Sequence, residues 1–141
     1  MASNVDEMLE WDKYPTYNTY LKMMEYFEQQ YGDICRVDTI GYSNKGLLIL
    51  AVKISDNVNS NEAEPEFFYS STIHGDEVTG YYLMLRLINT LLSAYNTDQE
   101  LTTLVNTTQI YINPLANPDG TYYKDTNSVV GSTRYNANRV D

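Results

Sequence analysis

The chain has 141 residues, one histidine, one cysteine and a net charge of −10. Its 43% hydrophobic content is sufficient for a packed core, and a chain of this length buries roughly two thirds of its unfolded surface. The 19 acidic and 9 basic residues argue against nucleic acid or an anionic membrane surface as partners. One histidine excludes a metal site made of two or three histidines from this chain, and one cysteine excludes an internal disulfide.

The N-terminal residues 1–15 are polar and acidic and are expected to form an irregular arm that closes at Pro15. They contain neither the basic nor the apolar region of a secretory signal. The many Tyr and Asn residues are nevertheless compatible with a secreted or periplasmic protein whose signal was removed. Apolar residues then follow helical spacing over 16–31, which predicts a helix that ends at Gly32.

Two β-prone runs surround the turn residues 43–46 and predict an antiparallel hairpin. The first run contains Ile34, Val37 and Ile40, and the second is the continuous apolar stretch 47–54. A polar loop is predicted over 55–65, where it ends at Pro65.

A strand–helix–strand unit is predicted from 67 to 112. The first strand covers 67–73, and the helix covers 77–95 with apolar residues around most of its circumference, as is typical of a buried helix. A capping-box pattern at 97–100 begins a short helix to about 105, and 109–112 form the second strand. Such crossovers make parallel strands, so both carboxyl ends are expected at one edge of an α/β sheet. From residue 113 onward the chain is predicted as loop.

The polar segments after these strands contain the residues able to carry chemistry. His74 and Glu77 offer an imidazole nitrogen and a carboxylate oxygen, both of which suit Zn²⁺. Gly75 permits a sharp turn between strand and helix. A His-x-x-Glu pattern often arises by chance, and the alternative is a structural histidine beside a carboxylate at a helix N-terminus.

Two further segments are ambiguous when taken alone. Residues 117–120 (Asn-Pro-Asp-Gly) form an ordinary turn sequence. Arg134 lies among small polar residues, where an arginine is able to polarise a carbonyl or stabilise an oxyanion. The alternative for Arg134 is a solvated surface side chain.

The order of these motifs, continued by 133–141 (Thr-Arg-Tyr-Asn-Ala-Asn-Arg-Val-Asp), resembles the zinc carboxypeptidases (M14 metallocarboxypeptidases) over residues 14–141. The resemblance implies that His74 and Glu77 are two ligands of one zinc ion and that Arg134 polarises the scissile carbonyl. It implies a structural role for 117–120 and a mixed central sheet of eight strands flanked by helices. The implied reaction is hydrolysis of a C-terminal peptide bond by a zinc-activated water.

The chain also departs from the pattern of that family. Arg139 stands where the family usually has Gly, whose backbone freedom Arg lacks. The carboxylate-binding motif, the third zinc ligand and the general-base Glu have no counterpart in residues 1–141. These residues are therefore expected to be roughly the N-terminal half of one catalytic domain, inactive alone. An unpaired strand edge and the apolar helix 77–95 would then favour self-association.

Two other functions stay open at this stage. A non-catalytic, peptidase-like binding module would explain the missing third ligand. An amidohydrolase of the desuccinylase/aspartoacylase type shares a His-Gly-x-Glu motif, although the Asn-Pro-Asp-Gly segment favours the peptidase. For a peptidase, the substrates are either ordinary protein C-termini or bacterial cell-wall peptides with D- or diamino-acid linkages.

Overall fold

The computed structural model describes residues 1–139 and contains a four-stranded mixed sheet with helices packed against it. Val140 and Asp141, the end of the motif 133–141, lie outside the described residues. The helices are α1 (Val5–Leu9), α2 (Tyr17–Tyr31), α3 (Val78–Ala94), α4 (Gln99–Val105) and α5 (Pro118–Thr121). The strands are β1 (Cys35–Tyr42), β2 (Leu48–Ile54), β3 (Glu66–Ser70) and β4 (Gln109–Asn113). The predicted α/β class with a mixed sheet is confirmed.

The strand order is β1-β2-β4-β3. The antiparallel hairpin is confirmed, because β1 pairs with β2 in a register that contains one irregularity between Thr39 and Gly41. The crossover is confirmed as well, because β3 runs parallel to β4 from the Glu66–Gln109 pair to the Ser70–Asn113 pair. Strand β2 is antiparallel to β4, so its carboxyl end lies beside the beginning of β4.

The core lies between the sheet and the helices α2 and α3. Each fully buried apolar side chain contributes roughly 1.5–3 kcal/mol of transfer free energy, so these contacts dominate the stability of the fold. The side chains that are at most 1% exposed include Tyr20, Met24, Phe27, Val52, Ile54, Tyr81, Leu85, Ile88, Leu92 and Ile112. The predicted burial of α3 over most of its circumference is wrong on one side, because Leu83 is 50% exposed.

The N-terminal residues 1–15 correct a second prediction, since they are not irregular throughout. Helix α1 begins after Asn4, whose side chain accepts a hydrogen bond from the Glu7 backbone N–H at 2.9 Å. Met8 and Ala2 are fully buried, and Ala2 forms a β-bridge with Pro15. The segment therefore belongs to the core; a five-residue helix has too few periodic positions to be recognised from its sequence.

The remaining differences concern how helices begin and end. Helix α2 ends before Gly32 as predicted, but Gly32 has an ordinary right-handed φ of −60°. The cap of α4 is Asp98, which accepts a hydrogen bond from Leu101 N at 3.0 Å, and not Thr97 of the capping-box pattern. The turn 117–120 is the start of a single helical turn, α5. No helix within residues 1–139 is long and apolar enough to cross a membrane.

Candidate active site

Strand β3 ends at Ser70, three residues earlier than predicted. The chain beyond it runs alongside the segment that comes after β4. Ser71 N donates to Asn113 O at 3.0 Å, and Asn117 N donates to Thr72 O at 3.1 Å. Thr72 has a φ of 58°, a left-handed conformation that ends the extended strand and is uncommon for a β-branched residue. The predicted convergence of the two strand ends is therefore correct: parallel pairing brings Ser70 beside Asn113, and irregular backbone continues the contact as far as Asn117.

Asn117 joins three chain segments at this point. Its Oδ1 accepts from Gly120 N at 2.9 Å and so caps α5, while its Nδ2 donates to the carbonyl oxygens of Ile73 and Arg134, both at 3.2 Å. The residue is 8% exposed. This one buried amide therefore ties the backbone of the residue before His74 to the backbone of Arg134.

Two glycines let these segments approach closely. A Cβ atom at Gly75 would lie 2.3 Å from the Gly120 carbonyl carbon, and a Cβ atom at Gly120 would lie 2.7 Å from Thr133 O. Gly75 N also donates to Arg134 O at 3.1 Å, and Thr121 Oγ1 donates to Gly75 O at 2.9 Å. The absence of a side chain at Gly75 thus serves backbone packing in addition to the turn that the sequence predicts.

His74 and Glu77 are brought together by this arrangement. His74 Nδ1 and Glu77 Oε1 are 3.0 Å apart, and the two side chains are 23% and 57% exposed. Nitrogen and oxygen ligands of a tetrahedral zinc, each about 2.1 Å from the metal, are roughly 3.4 Å apart. The pair thus needs only a small movement to bind one zinc ion, and its donor types fit that metal.

The alternative from the sequence, a structural histidine beside a carboxylate at a helix N-terminus, has the same placement, but the Glu77 side chain does not cap the helix. Glu77 occupies the N-cap position of α3, but its side chain makes no capping hydrogen bond. Its backbone instead forms a turn, in which Glu77 N donates to His74 O at 3.2 Å and Thr72 Oγ1 donates to Glu77 O at 3.1 Å. The carboxylate is consequently directed by the turn toward the imidazole.

Arg134 is anchored to the same place through its backbone. Its carbonyl oxygen accepts hydrogen bonds from Gly75 N and from Asn117 Nδ2, and its side chain is exposed. The three residues singled out in the sequence, His74, Glu77 and Arg134, therefore lie on segments that hydrogen bonds hold together.

Within residues 1–139, no third His, Cys, Asp or Glu side chain completes a three-ligand group with His74 and Glu77. The single cysteine, Cys35, is buried, and burial raises the pKa of its thiol to about 12, which disfavours the thiolate that metals require.

Arg139 adopts a φ of 59°, the left-handed conformation that glycine tolerates best. Its backbone N–H donates to Asn136 O at 2.9 Å, so the segment keeps a regular turn. The departure from the family pattern at this position therefore has a physical cost, about 1–2 kcal/mol of backbone strain, without disrupting the turn.

A cleft of about 310 Å³ lies beside these segments. It is bordered by Asn117 and Asp119 from the turn after β4, by Ile73 before His74 and by Asn136 after Arg134. Asp119 is fully buried, and its Oδ2 accepts a hydrogen bond from Lys45 N at 3.2 Å, which ties the hairpin turn to the site. Sequence reasoning missed the roles of Asn117 and Asp119, because their tetrapeptide is indistinguishable from a common turn.

A family model described as zinc carboxypeptidase matches residues 20–141. Carboxypeptidase D from Mus musculus is 42% identical over 120 residues, which cover 82% of this chain and 8% of the mouse protein. Carboxypeptidase SOL1 from Arabidopsis thaliana is 35% identical over 128 residues, which cover 91% of this chain and 24% of the plant protein.

Solved structures show the same fold. Thrombin activatable fibrinolysis inhibitor matches with a TM-score of 0.76 at 22% identity, over 89% of this chain and 30% of that chain. Carboxypeptidase A from Helicoverpa armigera matches with a TM-score of 0.73 at 24% identity, over 89% of this chain and 29% of that chain.

The chain therefore belongs to the zinc carboxypeptidase family, as the order of its motifs predicts. It spans only 8% of the mouse relative, 24% of the plant relative and about 30% of the solved chains.

Proposed function

We propose that this chain is the N-terminal portion of the catalytic domain of a zinc-dependent carboxypeptidase that hydrolyses C-terminal peptide bonds. The observation that carries the proposal is the 3.0 Å approach of His74 Nδ1 to Glu77 Oε1, at a point where hydrogen bonds also anchor Arg134. Family membership and the share of each relative that the chain covers support the same assignment.

In this proposal, His74 and Glu77 hold one Zn²⁺ together with a third ligand from outside the described residues. When bound, zinc lowers the pKa of a coordinated water to about 7 and polarises carbonyl groups. The Arg134 guanidinium is permanently charged and is suited to attract the oxygen of a substrate carbonyl. Asn117 is a positioning residue, because it bonds to the carbonyl groups of Ile73 and Arg134.

The proposed substrates are peptides with a free C-terminus. Protein C-termini and bacterial cell-wall peptides with D- or diamino-acid linkages share that chemistry, and assays with both classes distinguish them. The match to the zinc carboxypeptidase model favours this reaction over that of a desuccinylase- or aspartoacylase-type amidohydrolase. The binding-module alternative has one supporting observation, the lack of a third ligand near His74 within residues 1–139.

The decisive experiment uses the protein encoded by the complete reading frame. We expect one zinc per chain by atomic absorption and release of C-terminal residues from peptides, with both lost in His74→Ala. Glu25→Gln, an exposed charge removal on α2, is the matched control and should retain both. A folded complete protein without stoichiometric zinc and without hydrolysis would exclude the enzyme; peptide binding under those conditions would favour the binding module.

We also propose that the 141-residue chain alone self-associates through β3. All five residues of β3 are exposed, and within the described part of the chain β3 pairs on one side only. Phe67, Phe68 and Tyr69 are 54%, 59% and 43% exposed, and an apolar groove of about 490 Å³ runs from Phe67 to Leu87 and Leu91 of α3. Unpaired strands with exposed apolar side chains promote association between chains.

Light scattering tests this second proposal. The parent chain is expected to show a concentration-dependent mass above the monomer, and Phe68→Lys is expected to shift it toward the monomer. Leu83→Lys, an exposed apolar position on α3, is a matched control. A parent chain that remains monomeric at high concentration would contradict the proposal.

A further inference from the structure

The loop between β2 and β3 brings three carboxylates together at some distance from the candidate active site. One oxygen each of Asp56, Glu62 and Glu64 lies within 4.8 Å of the others. The loop lies at the edge of the sheet where β2 ends and β3 and β4 begin, whereas His74 follows the opposite ends of those strands. A five-residue strand is roughly 13 Å long, so the two places are separate.

Buried oxygen atoms at this loop lack hydrogen-bond donors. Glu62 Oε2, Glu64 Oε2 and Gln109 Oε1 are all inaccessible to solvent and have no partner. Gln109 is fully buried, and its Nε2 donates to Glu62 O at 3.1 Å, which directs the side-chain amide toward the loop. Buried acceptors without donors are rare in folded proteins and require an explanation, such as an ion.

The charges around the loop do not balance. Lys53 Nζ donates to Ser60 O at 2.6 Å, and Arg36 Nη1 donates to Val58 O at 3.2 Å while the Arg36 guanidinium is also paired with Asp38. Arg36 and Asp38 offset each other, so the single charge of Lys53 stands against three carboxylates, and a cation would neutralise the excess negative charge.

We propose that Asp56, Glu62 and Glu64, together with Gln109 Oε1, form a Ca²⁺ site that fixes the β2–β3 loop to the start of β4. Ca²⁺ binds six to eight oxygen ligands at about 2.3–2.6 Å, so ligands on opposite sides are about 5 Å apart, in accord with the observed spacing. Zn²⁺ prefers nitrogen and sulfur, and Mg²⁺ requires a tighter octahedron at about 2.1 Å. The oxygen-only donor set therefore selects Ca²⁺.

Calorimetric titration of the metal-free chain with CaCl₂, with thermal unfolding in parallel, tests the site. We expect one Ca²⁺ per chain, a higher unfolding temperature with Ca²⁺, and much weaker binding of Mg²⁺. The double variant Glu62→Gln/Glu64→Gln should weaken Ca²⁺ binding at least about tenfold, because affinity depends on the number of charged ligands. Gln109→Met should weaken it less, since it removes a neutral ligand, and Glu25→Gln should leave it unchanged.

Thermal unfolding measured without Ca²⁺ shows whether the double variant binds Ca²⁺ weakly because ligands are missing or because the protein is less stable. The double variant should unfold at the same temperature as the metal-free parent or higher, because it removes repulsion between like charges. The proposal is overturned by a parent chain with no saturable Ca²⁺ binding up to about 10 mM, roughly tenfold above the Kd of the weakest known class of protein Ca²⁺ sites. Unchanged affinity in the folded double variant, or equal affinity for Mg²⁺, would overturn it too.

Discussion

Polar groups at the two ends of the β3–β4 pair differ in how they are hydrogen-bonded. At the carboxyl ends, backbone groups of three segments bond to one another and to Asn117, which leaves His74 and Glu77 beside each other. At the amino ends, three buried oxygen atoms, on Glu62, Glu64 and Gln109, have no donors, whereas at the carboxyl ends Asp119 Oδ1 is in that state. Internal hydrogen bonds thus position the site residues at the carboxyl ends, whereas the oxygen atoms at the amino ends are the kind of ligands that bind a cation.

The largest effect is expected from closing the space between backbones at the carboxyl end. Gly75→Ala places a Cβ atom 2.3 Å from the Gly120 carbonyl carbon, and two backbone segments have little freedom to separate. We expect the free energy of unfolding to fall by about 3 kcal/mol or more, measured by urea denaturation.

Gly41→Ala is the matched control for this variant, because a Cβ atom at Gly41 meets no atom within 4 Å. If the two variants lost the same unfolding free energy, close backbone packing would not explain why position 75 requires glycine. If the Gly75→Ala protein folds, its Ca²⁺ affinity should equal that of the parent, since the acidic loop between β2 and β3 (residues 55–65) lies at the other end of the strands.

A smaller effect is expected from removing the hydrogen bonds of Asn117. Asn117→Ala leaves two carbonyl groups and the Gly120 N–H without this partner, which should cost about 2 kcal/mol of unfolding free energy. Zinc affinity of the complete protein should fall as well, because the segments that carry His74 and Arg134 lose their common anchor.

Asn117→Asp separates the two roles of this side chain. Aspartate keeps the oxygen that caps α5 but loses the amide donors to Ile73 and Arg134. We expect it to recover part of the stability and none of the zinc affinity. Recovery of both by Asp would show that Asn117 acts only as a helix cap.

Much of the fold follows from local patterns in the sequence. Two β-prone runs around turn residues predict the hairpin, and the strand–helix–strand order predicts the parallel pairing of β3 with β4. Two predicted zinc ligands lie close together because they are separated by one turn of backbone. These features depend on residues close together in the chain, so a single sequence is sufficient to predict them.

The features that could not be predicted depend on contacts between distant segments. The role of Asn117 depends on Ile73 and Arg134, which lie 44 and 17 residues away. The acidic loop looks like an ordinary polar connection until Gln109, 47 residues from Glu62, is placed against it. Such contacts leave no periodicity in the sequence, and only the folded chain reveals them.

The smallest expected effect concerns Arg139, in the segment that follows Arg134. Its φ of 59° is costly for a residue with a Cβ atom, by about 1–2 kcal/mol, and is free of that cost for glycine. Arg139→Gly also increases the entropy of the unfolded chain, which offsets about 0.5–1 kcal/mol, so a net gain of about 0.5 kcal/mol is expected. Urea denaturation should compare Arg139→Gly with Arg139→Ala, which removes the same charge but keeps the positive φ on a residue with a Cβ atom. The difference in unfolding free energy between the two variants then reports the backbone contribution. An alanine variant as stable as the glycine variant would mean that the strain at Arg139 is no larger than the entropic cost of glycine, about 0.5–1 kcal/mol. An alanine variant more stable than the glycine variant would show that the positive φ costs still less.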